Sequence, residues 1–309
     1  MPVSIGPDQG RAALLSAFGC YALWGVMPLL FMGQAAVGFD SLEILAHRAL
    51  WAVPVAGLLV WLARQGGQVA AVFRTPRTLA WLTFSTVLIG LNWGIYVWAT
   101  THEATLEASL GYYINPLLNM VVGLWLFREK IDRWGWIAIG LAAVGVLFQA
   151  LALGRPPWIS IVLALSFATY GVIRKRVPID AQAGLLVECL LLVPFGLAWV
   201  LWLQNTGAGV AFDSPANTIW ALANGPATVL PLALFAWSAR RLPLSTIGFI
   251  QFLAPTLQFM VGVWAGEALT PLRVVSFAFI WGGAAVFAAA AWFRVRAARL
   301  ALKDAAEPV

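Results

Sequence analysis

Glu107, Gly111, Asn115 and Asn119 recur at four-residue intervals in an otherwise apolar stretch. That spacing sets all four along one helix face, which drifts by about 40° per step. A carboxylate and two amides placed so offer hydrogen bonds and a charge to a polar guest. Pro116 stands beside the stripe and lacks an amide proton, which leaves a carbonyl near Tyr112 without its helical donor. Asn115 or a bound solute can satisfy it. Gln251, Pro255 and Gln258 repeat the theme later in the chain, and Asn92, Glu43, His47, Arg48 and Glu188 are further polar groups inside apolar blocks. The plain alternative for each is helix packing around a proline kink, with His47 a packed ring. Covalent chemistry has little to work with. The chain holds two histidines, two isolated cysteines (Cys20 and Cys189, read as buried free thiols), no HExxH, no clustered carboxylates and no GxxxxGK[ST] phosphate loop. No metal site and no cofactor are expected.

The elements that carry these side chains must be membrane helices. Of 309 residues, 61% are hydrophobic and 10% charged, against about one-quarter charged in an ordinary soluble domain. The apolar residues fall into ten blocks: 12–32, 42–63, 79–100, 106–127, 134–153, 157–174, 183–203, 217–239, 244–265 and 272–293. A helix of about 20 residues crosses a hydrocarbon core of about 30 Å. Many of the seventeen tryptophans, among them Trp51, Trp61, Trp81, Trp98, Trp134, Trp136, Trp158, Trp202, Trp220 and Trp292, lie near block ends, where an indole suits the headgroup layer. Gly66–Gly67 reads as a loop feature. The amino terminus lacks a basic segment and a cleavage site, so the first block is expected to stay as an uncleaved anchor.

Sixteen of the nineteen Lys and Arg residues fall on one set of connections, from Arg11 and the Arg64, Arg74, Arg77 group to the Arg294–Lys303 tail; only Arg155 and Arg273 fall on the other, and Arg48 lies within a span. The positive-inside rule then places both termini in the cytoplasm. The net charge of +6 follows from this orientation. Its cations are scattered over six segments, which argues against nucleic-acid binding.

A shift of 139 residues lays Pro76 on Pro215, Trp81 on Trp220, Trp98 on Trp237, Pro116 on Pro255, Gly123 on Gly262 and Trp125 on Trp264. Matches of Pro and Trp at one offset over some fifty residues mark a duplication. The units are 1–153 and 154–309, five spans each, the second with a short basic tail. An odd span count inverts the second copy, an architecture common among secondary transporters, with the substrate site between the halves near the midplane. A shift of 140 sets Arg48 opposite Glu188. Either these two charges pair, or Arg48 binds Glu43 or a carbonyl while Glu188 meets water.

The stretches ILAHRALW (44–51), LIGLNWGIYVWA (88–99), LEASLGYYINPLLN (106–119), LSFATYGVIRKR (165–176) and LSTIGFIQFLAPTLQF (244–259) resemble the RarD-type branch of the EamA family, in the drug/metabolite transporter superfamily. The resemblance runs from about Arg11 to Arg296. It implies an all-α polytopic membrane protein of ten transmembrane helices in two inverted five-helix repeats, a cavity lined mainly by spans 1, 3, 4, 6, 8 and 9, and peripheral spans 5 and 10, through which a homodimer can form. It also implies a permease that exports small organic solutes such as amino acids, metabolites or drugs, with the solute and the inner-membrane bilayer as its partners. A channel or a membrane-embedded enzyme or receptor is the alternative. The motif positions carried over are Trp24, Arg48, Asn92, Glu107, Tyr112, Asn115, Tyr170 and Gln251. With the polar and repeated residues, the expected solute-binding set is Trp24, Asn92, Trp98, Glu107, Tyr112, Asn115, Asn119, Tyr170, Trp237, Gln251 and Gln258, and the ion-pair or coupling set is His47, Arg48 and Glu188.

Overall fold

The computed structural model describes residues 7–127, 132–152, 154–239, 241–242 and 250–304. Among these the chain is helical, without a strand: α1 (Pro7–Ala36), α2 (Ser41–Leu62), α3 (Gly66–Arg74), α4 (Pro76–Thr101), α5 (Thr105–Phe127), α6 (Arg133–Ala152), α7 (Trp158–Arg176), α8 (Ala181–Thr206), α9 (Pro215–Ala239), α10 (Leu253–Trp264) and α11 (Pro271–Asp304). Helices α1, α2, α4, α6, α8, α9 and α11 are long and apolar enough to cross a membrane, while α7 and α10 are shorter apolar helices. Helix α5 has 23 residues. The part of the ninth expected span at 244–249 lies outside the described residues.

Local chemistry sets the ends. Asp40 accepts from the amides of Leu42 (2.6 Å) and Glu43 (3.0 Å) and so caps α2. Pro76 opens α4, where its missing amide costs nothing. Gly207, at φ +68°, closes α8 in the left-handed conformation. Helix α3 corrects the reading of Gly66–Gly67 as a loop: the two glycines begin a nine-residue helix. Val69 and Val72 on α3 pack against Leu82, Ile173, Val177 and Val187, and Gln68 exchanges hydrogen bonds with Asp180 at the start of α8.

Bulky apolar side chains stand exposed along the outer faces, including Leu15, Trp61, Phe195 and Trp264. In water such a surface would drive association; in lipid it is the solvated state. Inside, the main packing crosses between the two halves of the chain. Helix α2 packs on α8, α6 on α11 and α5 on α10. Helix α1 packs on α9 as α7 does on α4, α5 on α7 as α10 does on α1, and α2 on α9 as α8 does on α4. Exchanging α1, α2, α4, α5 and α6 for α7, α8, α9, α10 and α11 in that order turns each pair into another pair of the set. The halves interleave and do not form separate lobes.

The α6–α11 seam shows this exchange atom by atom. A β-carbon at Gly145 would stand 2.6 Å from the Ser276 carbonyl oxygen and 2.6 Å from the Ile280 side chain. One at Gly283 would stand 2.7 Å from the Ala138 carbonyl oxygen and 3.3 Å from the Ala142 amide. Residues 138, 142 and 145 of α6 thus meet 276, 280 and 283 of α11 reciprocally, each glycine under the facing backbone. Close approach through small residues is how membrane helices gain dispersion energy without a hydrophobic drive. Because these faces are spent on one another, a homodimer through the same helices would use their outer faces, where Trp136, Leu147 and Leu151 are exposed.

Candidate functional site

Polar groups gather where α1, α2, α4, α5, α7, α8 and α9 meet. Arg48, on the inner face of α2, is 5% exposed. Its Nε donates to Thr228 Oγ1 on α9 at 3.1 Å. The guanidinium lies over the Trp93 ring at 4.4 Å and the Phe31 ring at 5.5 Å, contacts worth about 2 kcal/mol when desolvated. Among the described residues no carboxylate comes within ion-pair distance of it, and its Nη1 has no hydrogen-bond partner.

Aromatic rings run on from there. Phe31 meets Tyr96 edge-on at 6.0 Å, Tyr96 meets Tyr112 at 5.3 Å, Tyr112 meets Phe167 at 6.3 Å and Phe167 meets Tyr170 at 6.1 Å. Asn92 braces this line by donating to the Leu163 carbonyl (2.9 Å) and Ser166 Oγ (3.0 Å), while Tyr112 donates to its Oδ1 at 3.4 Å. Tyr170 ends the line by donating to Glu188 at 3.1 Å.

Glu188 is fully buried and receives Ser85 Oγ (2.6 Å) and Tyr170 Oη, with Arg174 Nε 3.7 Å away. Arg174 turns inward from the end of α7, where Gly184 lacks the β-carbon that would collide with its guanidinium. Its Nη2 donates to the carbonyl of Ala181 at 3.1 Å. Arg48 and Glu188 thus have separate partners. The two do not pair with each other, Arg48 does not bind Glu43, and Glu188 is held by side chains. Glu43 instead accepts from the amides of Val210 and Ala211, at 3.0 Å each.

The remaining expected residues divide by place. Asn115 is buried, and neither atom of its amide finds a partner among the described residues. Gln258 donates to the Trp24 carbonyl at 3.1 Å, tying α10 to α1, while its own oxygen is unpartnered. Trp24 packs with Tyr21 and Phe235. Gln251 stands half-buried in the turn before α10. The side chain of Asn119 lies outside the described residues. His47 accepts from Trp51 Nε1 at 3.1 Å, which fixes the Nε2–H tautomer, and packs between Phe39 and Phe212.

Glu107 sits apart from the aromatic line. It pairs with Arg155 at 2.6 Å, and its other oxygen accepts from the Ile159 amide, so the carboxylate caps α7. Trp98 and Trp237 are part-exposed in the last turns of α4 and α9. Trp98 stacks on His102 at 4.9 Å and Trp237 lies under Arg241 at 4.1 Å, the same device at the 139-residue offset, fitting interface anchors better than cavity walls. Sequence reading passed over Phe31, Ser85, Trp93, Tyr96, Arg174 and Thr228. Tyr96 carried a usable signal, since it follows Asn92 by four residues and shares its face.

A bundle of apolar helices with charged and amide side chains enclosed between its two halves defines a polytopic membrane protein. The particular family follows from comparison with known proteins. Residues 11–151 match the EamA-like transporter family. The chain is 38% identical over 304 residues to protein RarD of Streptomyces exfoliatus, covering 98% of this chain and 96% of that one. It is 40% identical over 288 residues to an uncharacterized transporter of Pseudomonas aeruginosa (93% and 96% covered), and 38% identical over 281 residues to protein RarD of Escherichia coli (90% and 94%). A crystal structure 19% identical in sequence superposes with a TM-score of 0.60, covering 89% of this chain and 96% of the other, which extends the likeness to the fold. The chain belongs to the RarD branch of the EamA-like transporter family and is a bacterial membrane protein.

Proposed function

We propose that this protein is a secondary transporter that exports a small organic solute by alternating access. In this reading ten helices, as inverted units 1–153 and 154–309, rock about a site at their junction, with both termini in the cytoplasm of the inner membrane. The observation that carries it is a set of buried polar groups from both halves with atoms that find no partner among the described residues: Arg48 Nη1, Tyr96 Oη, the Asn115 amide, Asn224 Oδ1 and Gln258 Oε1. Such atoms are costly in a membrane interior unless a guest or water meets them. The exchange symmetry of the packing supplies the two equivalent arrangements that alternating access needs.

The test is counterflow of a solute panel in proteoliposomes, with and without a pH gradient. Saturable flux with counterflow is expected. Flux that rises without saturation and shows no counterflow would make the protein a channel. Asn115→Leu is expected to insert and fold as the parent does, because it removes an amide that has no partner among the described residues, and to lose transport. Unchanged flux in that variant would return Asn115 to packing.

A further inference from the structure

Resting on the transporter reading, we propose that the solute carries a carboxylate, received by the free Nη1 of Arg48 and the free hydroxyl of Tyr96, with its apolar body laid along the ring line toward Tyr112 and Phe167. Four observations carry this. Arg48 is a buried cation without a counter-ion among the described residues, and the other buried carboxylates are engaged elsewhere: Glu43 on the Val210 and Ala211 amides, Glu107 on Arg155 and α7, Glu188 on Ser85, Tyr170 and Arg174. Tyr96, 3% exposed, presents a hydroxyl with no partner among the described residues and touches the same Phe31 ring that the guanidinium covers. Thr228 and the Trp93 face fix the guanidinium by one nitrogen and one face, which leaves an Nη donor free. The surroundings are rings, which suit an apolar or aromatic body.

An uncompensated ion in a low-dielectric interior is costly. A carboxylate guest removes that cost and takes charge-assisted hydrogen bonds from donors already in place. A neutral isostere gains neither. Arginine suits this role better than lysine because its planar fork can be held on one edge and still donate from another.

The experiment measures thermal unfolding of the purified full-length protein in detergent, titrated with 3-phenylpropionate, with its amide and with sodium chloride. The acid is expected to stabilise at concentrations about tenfold or more below those of the amide, and chloride to do nothing at matched ionic strength. Arg48→Lys should erase the preference for acid over amide. Tyr96→Phe should fold at least as well as the parent, since it deletes only a hydroxyl with no partner among the described residues, and should need several-fold more acid for the same shift. Equal response to acid and amide, no response to either, an equal response to chloride, or unchanged acid affinity in Tyr96→Phe would each overturn the proposal. Counterflow separates the two readings. Saturable flux of neutral solutes that Arg48→Lys leaves intact removes the carboxylate site and keeps the transporter. Acid-specific stabilisation without saturable flux keeps the site and removes the transporter.

Discussion

Glu188 shows what a carboxylate needs in order to sit inside a membrane protein. It takes one hydroxyl from α4, one phenol from α7 and the Arg174 guanidinium from the next turn of α7. Removing one partner of a buried pair leaves an uncompensated ion, whereas removing both does not. Arg174→Met alone should therefore lower the thermal midpoint in detergent more than Arg174→Met combined with Glu188→Gln. Arg48→Met and Glu188→Gln, which share no contact, should instead add. Additive losses in the first pair would separate Arg174 from Glu188. The 140-residue offset sets Glu188 opposite Arg48, and both are buried. What register could not reveal is the partner. Arg174 reads as one of three adjacent cations at a helix end, and only the glycine at 184, across the α7–α8 turn, lets this one fold inward.

At the scale of the element, length and hydropathy made the spans readable, because a bilayer imposes one length on every crossing helix. Helix α3 escaped because nine residues opened by two glycines carry too little periodicity, and it is tertiary contact with α4, α7 and α8 that holds it. The polar stripe of the fourth span was legible as a face but not as a depth. Glu107 in its first turn serves the end of the neighbouring helix, while Asn115, two turns on, is interior. The α6–α11 seam allows a direct test of element packing. Gly145→Val would push a side chain into the Ser276 carbonyl and Ile280, and overpacking of this kind costs about 1–3 kcal/mol. The thermal midpoint should fall by several degrees. Gly140→Val, on the same helix with open space around its α-carbon, should leave it unchanged. Equal effects would mean that the seam is not tightly closed.

For the whole molecule, the proposed orientation rests on sixteen cations against two. Cysteines introduced at Gly67, where added atoms meet nothing, and at Ser214 should react with an impermeant maleimide from opposite sides, Gly67 from the cytoplasm and Ser214 from the periplasm. Labelling of both from one side would overturn the ten-span topology. The 139-residue offset was visible in proline and tryptophan. The reciprocity of the α6–α11 seam was hidden, because its residues align at an offset of 138, one residue out of step with the rest.

That seam is not even along its length. Ser276 stands where its counterpart across the 138-residue offset is Ala138, and its hydroxyl donates to the Gly145 carbonyl at 2.6 Å. The mirror contact, Ala138 beside Gly283, has no hydroxyl with which to return the bond. One end of the seam is thus pinned by a polar lock and the other only by surface contact, so the Gly283 end is the one expected to open first if the two helices part.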